Sequence, residues 1–121
     1  MPQFVKFETP QETYDKIKAL LSKVSRGGKI KAGVNEVTKV IERGMAKFVV
    51  MAEDVSPEEL LMHIPVLCKE KKVSYGYLPT KKDLGEASGL KISASCIAIT
   101  DDGTLTKDVE QLKTQLLELV K

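Results

Sequence analysis

Five stretches of the chain repeat apolar residues every three or four positions, the spacing that places them on one face of an α-helix. In the second of these stretches, for example, Val37, Val40 and Ile41 share one face while Asn35 and Lys39 lie on the other. The helices predicted in this way cover residues 10–25, 34–43, 56–71, 81–88 and 106–120.

Residues at the ends of these stretches support the predicted boundaries. Thr9 is expected as the N-cap of the first helix, with Pro10 at the first helical position and Glu12 completing a capping box. Ser56 is expected as the N-cap of the third helix, which Pro65 is expected to kink.

Short apolar runs between the helices predict strands at 29–32, 47–52, 73–78 and 95–100. The run KFVVMA at 47–52 is continuously apolar, which is typical of a central strand. Because helices and strands alternate, we predict an α/β fold: a three-layer α/β/α sandwich around a mostly parallel or mixed sheet of four strands. A chain of 121 residues with 42% apolar content suits one domain, spanning residues 1–121.

Basic residues are concentrated in one part of this chain. Residues 16–47 contain nine Lys or Arg against two acids, Glu36 and Glu42, so this segment carries +7 and the remainder −5. Such asymmetry predicts a localised anion-binding face. A solvated, lysine-rich helix face is the alternative explanation of the same charges.

Cysteine and histidine usage does not point to a metal or redox centre. Cys68 and Cys96 are far apart in apolar surroundings, as expected of small buried residues in a cytoplasmic protein. His63 stands alone, and we expect it on a helix surface. No apolar run approaches the roughly 18 residues of a membrane span, and no signal peptide is visible. We therefore expect a soluble protein without a cofactor or bound metal.

The common enzyme motifs are also missing from the sequence: there is no G-x-G-x-x-G after a strand, no P-loop and no G-x-S-x-G elbow. The acidic pair Glu53-Asp54 follows the central strand, as acids do in phospho-accepting receiver domains. A receiver domain needs a second acidic position after another strand, but the next strand ends in Leu78-Pro79. We expect Glu53-Asp54 to form a solvated turn and the protein to be non-catalytic.

The stretch KIKAGVNEVTKVIERG, residues 29–44, is the best candidate for an RNA contact. Gly33 permits a sharp turn that brings the start of the second helix close to a phosphate. Basic residues are expected to add contacts to the RNA backbone along the same side. They are Lys29, Lys31, Lys39 and Arg43.

Asn35 and Glu36 are unexpected within this basic stretch. Helix-start chemistry explains either residue by itself. A carboxylate repels phosphates, however, and is useful to an RNA-binding surface if it accepts hydrogen bonds from the N1–H and N2 groups of an exposed guanine edge. Asn35 can read a neighbouring edge or fix Glu36. Such edges occur in non-Watson–Crick RNA. The few aromatic residues argue against a stacking platform for single strands.

Three strings occur in order along the chain: G-x-N-E-x-T-K-x-x-x-R-G, A-E-D-V-x-P-E-E and K-x-D-L-G-x-A-x-G. Together with their surroundings they resemble the family of the archaeal ribosomal protein L7Ae. That family includes the core proteins of box C/D and H/ACA guide ribonucleoproteins and a fifteen-kilodalton spliceosomal protein. The resemblance implies an α/β/α sandwich that binds, without catalysis, kink-turns: RNA elements whose sharp bend is held by tandem sheared G·A pairs.

The resemblance also implies roles for individual residues. Asn35, Glu36 and Lys39 would contact the guanine edges. Thr38 and Arg43, joined by Lys29 and Lys31, would support contacts to the RNA backbone, and Leu60 and Lys81 would hold a flipped-out nucleotide. A loop would cover the bend; it comprises Leu90, Lys91, Ile92, Ser93, Ala94 and Ser95.

The implied partners are kink-turn RNAs of the large ribosomal subunit and of box C/D and H/ACA guides, together with RNase P RNA and hence tRNA processing. Scaffold and RNA-modifying proteins of the guide particles would join them, and without RNA we expect a monomer. Two departures from the family pattern are Ala32, where a second Lys is common, and Ile92-Ser93, where many relatives have Arg-Pro. The first implies a slightly lower affinity for phosphates, and the second leaves open the preference for kink-turns or loop-capped kink-loops. A protein-interaction module without RNA binding is the competing class.

Overall fold

The computed structural model describes residues 10–55, 59, 61–90 and 92–101. Helices and strands alternate along these residues, as the sequence predicts. They are α1 (Gln11–Gly27), β1 (Lys29–Ala32), α2 (Val34–Glu42), β2 (Phe48–Ala52), α3 (His63–Glu70), β3 (Ser74–Leu78), α4 (Lys81–Ala87) and β4 (Cys96–Asp101). The helix predicted at 106–120 and the N-caps predicted at Thr9 and Ser56 lie outside the described residues, and so does the rest of the proposed 1–121 domain.

The four strands form one mixed sheet with the order β1-β4-β2-β3. Strand β2 is parallel to β3, whereas β4 is antiparallel to both β1 and β2. The sheet is therefore mixed, as the prediction allowed: β1, β2 and β3 run in one direction and β4 in the other. The reason lies in residues 90–95, which return the chain to the edge of the sheet where β3 ended, so that β4 runs in the opposite direction.

Helices cover both faces of the sheet, which confirms the predicted three-layer α/β/α architecture. Helix α1 packs with α4 on one face, and α2 packs with α3 on the other. Strand β2 lies between β4 and β3, and all five of its residues are buried, as the continuous apolar run predicts. Phe48 of β2 and Tyr77 of the adjacent strand β3 are among the largest fully buried side chains. No helix in the described ranges is both long and apolar enough to cross a membrane.

Two predictions about prolines are corrected. Helix α3 begins at His63, so Pro65 lies in its first turn, where a backbone N–H has no acceptor within the helix and the fixed φ of proline fits. Pro65 therefore does not kink the helix. Pro10 has an extended backbone, with φ −61° and ψ 152°, and precedes the first helical residue, Gln11.

Helices α2, α3 and α4 all end in the same hydrogen-bonded turn, the Schellman motif. In α3 the N–H of Val73 donates to the Cys68 carbonyl (2.7 Å) and that of Lys72 to the Lys69 carbonyl (3.3 Å). The motif requires a left-handed residue just after the helix. Gly44 and Gly89 supply it at φ 72° and 75°, but after α3 the position is taken by Lys72, at φ 59°.

Candidate functional site

The carboxyl ends of β1, β2 and β3 and the beginning of β4 lie at one edge of the sheet, because β4 is antiparallel to its neighbours. We call this edge, marked by Ala32, Ala52, Leu78 and Cys96, the upper edge. The segments that leave it are the start of α2, the turn after β2, the start of α4 and the loop 90–95. Several of the sequence-predicted site residues belong to these segments, among them Gly33, Asn35, Glu36 and Lys81.

Backbone hydrogen bonds hold these segments together. The start of α2 bonds to β4, the turn after β2 bonds to β3 and to the start of α4, and α4 bonds to the loop 90–95. The donor–acceptor pairs are Gly33 N to Cys96 O (3.0 Å), Ala52 N to Ser95 O (2.9 Å), Glu53 N to Leu78 O (2.9 Å), Lys81 N to Asp54 Oδ1 (2.8 Å) and Ala94 N to Lys81 O (3.1 Å). The upper edge is therefore a connected platform.

Gly33 forms the turn into α2, as predicted. Its φ of 95° is a conformation that residues with a side chain rarely adopt, and its carbonyl accepts the Val37 N–H at 3.0 Å. Gly33 occupies the N-cap position, and no side chain among the described residues caps this end of the helix. The backbone N–H groups of the first turn consequently face the upper edge without an acceptor inside the helix.

Asn35, Glu36 and Lys39 are all exposed on the first turns of α2. The Lys39 Nζ atom is 3.8 Å from Glu36 Oε1, and the two side chains are 56% and 52% exposed. An ion pair at this distance and exposure is weak, since solvent screens it and both side chains lose freedom. The Glu36 carboxylate can therefore accept hydrogen bonds from a ligand.

Thr38 has a specific partner on the neighbouring helix. Its Oγ1 atom lies 2.9 Å from Nε2 of His63, the first residue of α3. His63 is exposed, as predicted, but it also joins α3 to the helix that carries Asn35 and Glu36. Sequence reasoning missed this contact because the two residues are 25 positions apart.

The cations of β1 and α2 extend away from the upper edge. Lys31 lies one residue from its Ala32, whereas Lys29 begins β1 at the far end, paired with Asp101. Arg43 follows the last residue of α2, about 13 Å from its start at 1.5 Å per residue. Lys31 therefore adjoins the upper edge, whereas Lys29 and Arg43 lie farther from it.

The predicted single anion-binding face is corrected, because the +7 segment is divided between the two faces of the sheet. Its N-terminal part belongs to α1, which packs with α4 on one face of the sheet, whereas α2 packs with α3 on the other. There Lys18 Nζ lies 3.8 Å from Asp83 Oδ2, and Arg26 Nη2 donates to Ser22 Oγ at 3.1 Å. The sequence did not reveal this division, because the basic residues follow one another along a single segment.

Glu53 and Asp54 are not merely solvated turn residues, which corrects that prediction. The Tyr14 hydroxyl donates to Glu53 Oε2, and the Lys81 N–H donates to Asp54 Oδ1. Thr80 Oγ1 accepts the Asp83 N–H at 3.0 Å and caps the same helix. The turn acquires these partners because it lies at the upper edge, beside the start of α4.

The loop 90–95 combines buried and exposed residues. Ala94 is 6% exposed and Leu90 is half-buried, whereas Ile92 is 75% exposed. Ser93 is exposed as well. Two of the predicted site residues, Leu60 and Lys91, lie outside the described part of the chain.

Both cysteines are buried, as predicted. Burial raises the pKa of the Cys68 thiol from 9.0 to about 12, with a smaller contribution from Cys96. Burial likewise raises the pKa of Cys96 to about 12, partly opposed by a hydrogen bond from Ser95. Among the residues that the structure describes, no group of three His, Cys, Asp or Glu side chains is arranged to hold a metal ion.

Fold and site together define a small α/β/α domain whose exposed polar residues meet at one edge of a mixed sheet. The family model described as "Ribosomal protein L7Ae/L30e/S12e/Gadd45 family" matches residues 15–109, and the chain belongs to this family. It is similar to the solved structure of the Giardia lamblia 15.5kD RNA binding protein, with 27% identity, coverage of 99% of each chain and a TM-score of 0.89. The resemblance carried by the three sequence strings is thereby confirmed.

Proposed function

We propose that this protein is a non-catalytic RNA-binding protein that recognises kink-turns through their tandem sheared G·A pairs. Its family and its similarity to an RNA-binding protein over the whole chain support binding to RNA. The observation that carries the finer proposal is the exposed Glu36 carboxylate beside Asn35, at the uncapped start of α2.

The chemistry of this helix start suits a purine edge next to a phosphate. Glu36 accepts hydrogen bonds from the N1–H and N2 groups of guanine, while Asn35 both donates and accepts. The N–H groups of the first turn of α2 donate to a phosphate oxygen. Lys39, which is only weakly paired in the free protein, is then available to a base edge or a phosphate.

The other segments of the upper edge surround this contact. Lys31 adds a cation to the RNA backbone, and Lys81, fixed through Asp54, holds an unpaired nucleotide together with Leu60. The loop with Leu90, Lys91, Ile92, Ser93 and Ala94 covers the bend. Lys29, Thr38 and Arg43 lie farther along β1 and α2, where they would meet the RNA backbone beyond the bend.

The mechanism is a shift of a conformational population. A sharp bend brings phosphates together, so the bent RNA is poorly populated when divalent ions are scarce. A protein that binds only the bent state stabilises it by at most its difference in affinity for the two states. The bent RNA with its protein then forms a platform for further proteins.

The proposed place of action is the cytoplasm, where the protein would be part of ribonucleoprotein particles. The RNAs would be those of the large ribosomal subunit, of box C/D and H/ACA guides that direct rRNA modification, and of RNase P. Scaffold and modification-enzyme proteins would assemble on the guide complexes. The exposed Ile92-Ser93 pair supports tolerance of loop-capped kink-loops, because neither side chain carries the charge of the Arg that many relatives have there.

A gel shift with a kink-turn RNA, beside the same RNA with both G·A pairs replaced by Watson–Crick pairs, tests the proposal. We expect tight binding to the first RNA and weak, strongly salt-dependent binding to the second. Equal binding to both would reduce the function to electrostatic attraction. Binding to neither would favour the competing class, a protein-interaction module with this fold.

A further inference from the structure

The loop 90–95 passes close to α4 at Gly85. A Cβ atom built on Gly85 would lie 2.1 Å from the Ile92 carbonyl oxygen and 3.1 Å from both the Ile92 carbonyl carbon and Ser93 Cα. All three atoms belong to the backbone, so no side-chain rotation can relieve the overlap. Any residue other than glycine at this position must displace the loop.

One hydrogen bond holds the far end of the loop in this position: the Ala94 N–H donates to the Lys81 carbonyl at 3.1 Å. The Leu90 N–H, which donates to the Gly85 carbonyl at 2.9 Å, belongs to the Schellman turn at the end of α4, from which the loop starts. Gly85 and Lys81 are one turn apart on α4, with Lys81 at the upper edge. Residues 92–94 therefore run along this helix, with Ala94 beside Lys81 and Ile92 beside Gly85.

The side chain of Ile92 is left in solvent by this arrangement. At 75% exposure it is the most exposed large apolar side chain of the described residues, ahead of Met45 at 56% and Val66 at 53%. A hydrophobic side chain held out by an anchored backbone has apolar area to bury on a ligand. Gly85, beside which Ile92 lies, is one turn from Lys81 on α4, so the nucleotide proposed to be held by Lys81 is the ligand group that we assign to Ile92.

We propose that Gly85 is a positioning residue for RNA recognition: its missing side chain lets the loop rest on α4, so that Ile92 contacts the face of an unpaired nucleotide. This inference rests on the proposed function. An unpaired base offers an apolar face that stacking in the RNA no longer covers. Gly85 itself touches the loop and not the RNA.

The test compares Gly85→Ala with a matched control, Gly27→Ala. Gly27 is also helical, but a Cβ there would meet nothing within 4 Å. Amide hydrogen exchange gives the first readout. We expect faster exchange at Ala94 in Gly85→Ala, because its hydrogen bond to Lys81 depends on the loop position, and unchanged exchange in the control. Unchanged exchange at Ala94 in Gly85→Ala would overturn the proposal.

Binding gives the second readout, with a kink-turn RNA and the same RNA carrying an abasic linker at the unpaired nucleotide. Wild type and Gly27→Ala should lose about tenfold in affinity with the abasic RNA, the order expected when one aliphatic side chain stays exposed. Gly85→Ala should bind both RNAs equally, at the weaker level. A tenfold difference that persists in Gly85→Ala would overturn the proposal, as would a variant that no longer folds, since Gly85 would then serve stability alone.

A second variant, Ile92→Ser, tests the contact without disturbing α4. It should also bind the intact and abasic RNAs equally, and Gly85→Ala combined with Ile92→Ser should bind no more weakly than either single variant. Additive losses would contradict a shared contact. Failure of the proposed function is distinguishable, because wild type would then bind the RNA with replaced G·A pairs as tightly as the intact kink-turn.

Discussion

The Glu36 carboxylate lies 3.8 Å from the Lys39 ammonium, one turn along α2, and each side chain is more than half exposed. Exposed ion pairs of this kind contribute about 0–1 kcal/mol to stability. Glu36 is therefore a residue whose removal should leave the fold intact, so that effects on ligand binding can be measured separately from effects on folding.

Glu36→Ala should weaken binding to a kink-turn RNA by about 1–3 kcal/mol, because a guanine edge loses its acceptor. The unfolding free energy should change by less than about 1 kcal/mol. Isothermal titration calorimetry measures the RNA affinity, and urea unfolding measures the unfolding free energy. Glu42→Ala is the matched control, since Glu42 is exposed at the other end of the same helix. Equal RNA affinities of Glu36→Ala and wild type would refute guanine recognition by Glu36.

Lys31→Ala should weaken binding to all RNAs alike and lower the slope of log K against log salt by about one, as expected for one lost phosphate contact. Fluorescence anisotropy at several salt concentrations measures this slope. Lys47→Ala is the control: Lys47 is exposed too, but its N–H donates to Ile99 at the end of the sheet opposite to the upper edge. If both variants changed the slope equally, the RNA would not be confined to the upper edge.

Lys72→Gly should raise the unfolding free energy by about 0.5–1 kcal/mol. Lys72 has a φ of 59°, which is strained for a residue with a side chain. Relief of this strain exceeds the extra conformational entropy that glycine loses on folding. The preceding residue offers a control. Lys71 has an ordinary φ of −93°, so Lys71→Gly should not stabilise the protein. Urea unfolding of the two variants decides between this account and a general effect of removing a lysine.

Asp54→Ala should lower stability by about 0.5–2 kcal/mol, the range for loss of a side chain that caps a helix start, because the Lys81 N–H loses its acceptor. Asp54→Asn keeps an acceptor oxygen and should lose less. Thermal unfolding compares the three proteins. An identical loss in both variants would assign the effect to charge and not to the hydrogen bond.

The buried thiols should make stability fall with rising pH. Burial raises the pKa of Cys68 and Cys96 from 9.0 to about 12, so between these values the folded chain keeps protons that the unfolded chain releases. Stability from this source is complete below pH 9.0 and is lost towards pH 12. Cys68→Ala and Cys96→Ala combined should flatten the dependence. In native protein at pH 8, dithionitrobenzoate should react slowly; rapid reaction would show that the thiols are accessible.

Local features were predicted well because they depend on neighbours in the chain. The strand at Lys29–Ala32 was predicted with its observed bounds, and the burial of Val37, Val40 and Ile41 follows from helical spacing alone. The third helix begins at His63 in the structure, later than predicted, with Pro65 in its first turn. Apolar spacing does not fix this start, whereas a proline fits a first turn and would break the interior of a longer helix.

The sequence by itself determined the alternation of helices and strands, the central position of the apolar run 48–52, and the choice of Asn35 and Glu36 as the residues to test. These follow from periodicity and from the chemistry of adjacent side chains. The tertiary structure decided the direction of β4, the division of the basic segment between two faces, and the contacts of Thr38 with His63, Asp54 with Lys81 and Gly85 with Ile92. Each of these depends on how segments that are distant in the sequence pack together, which no local pattern encodes.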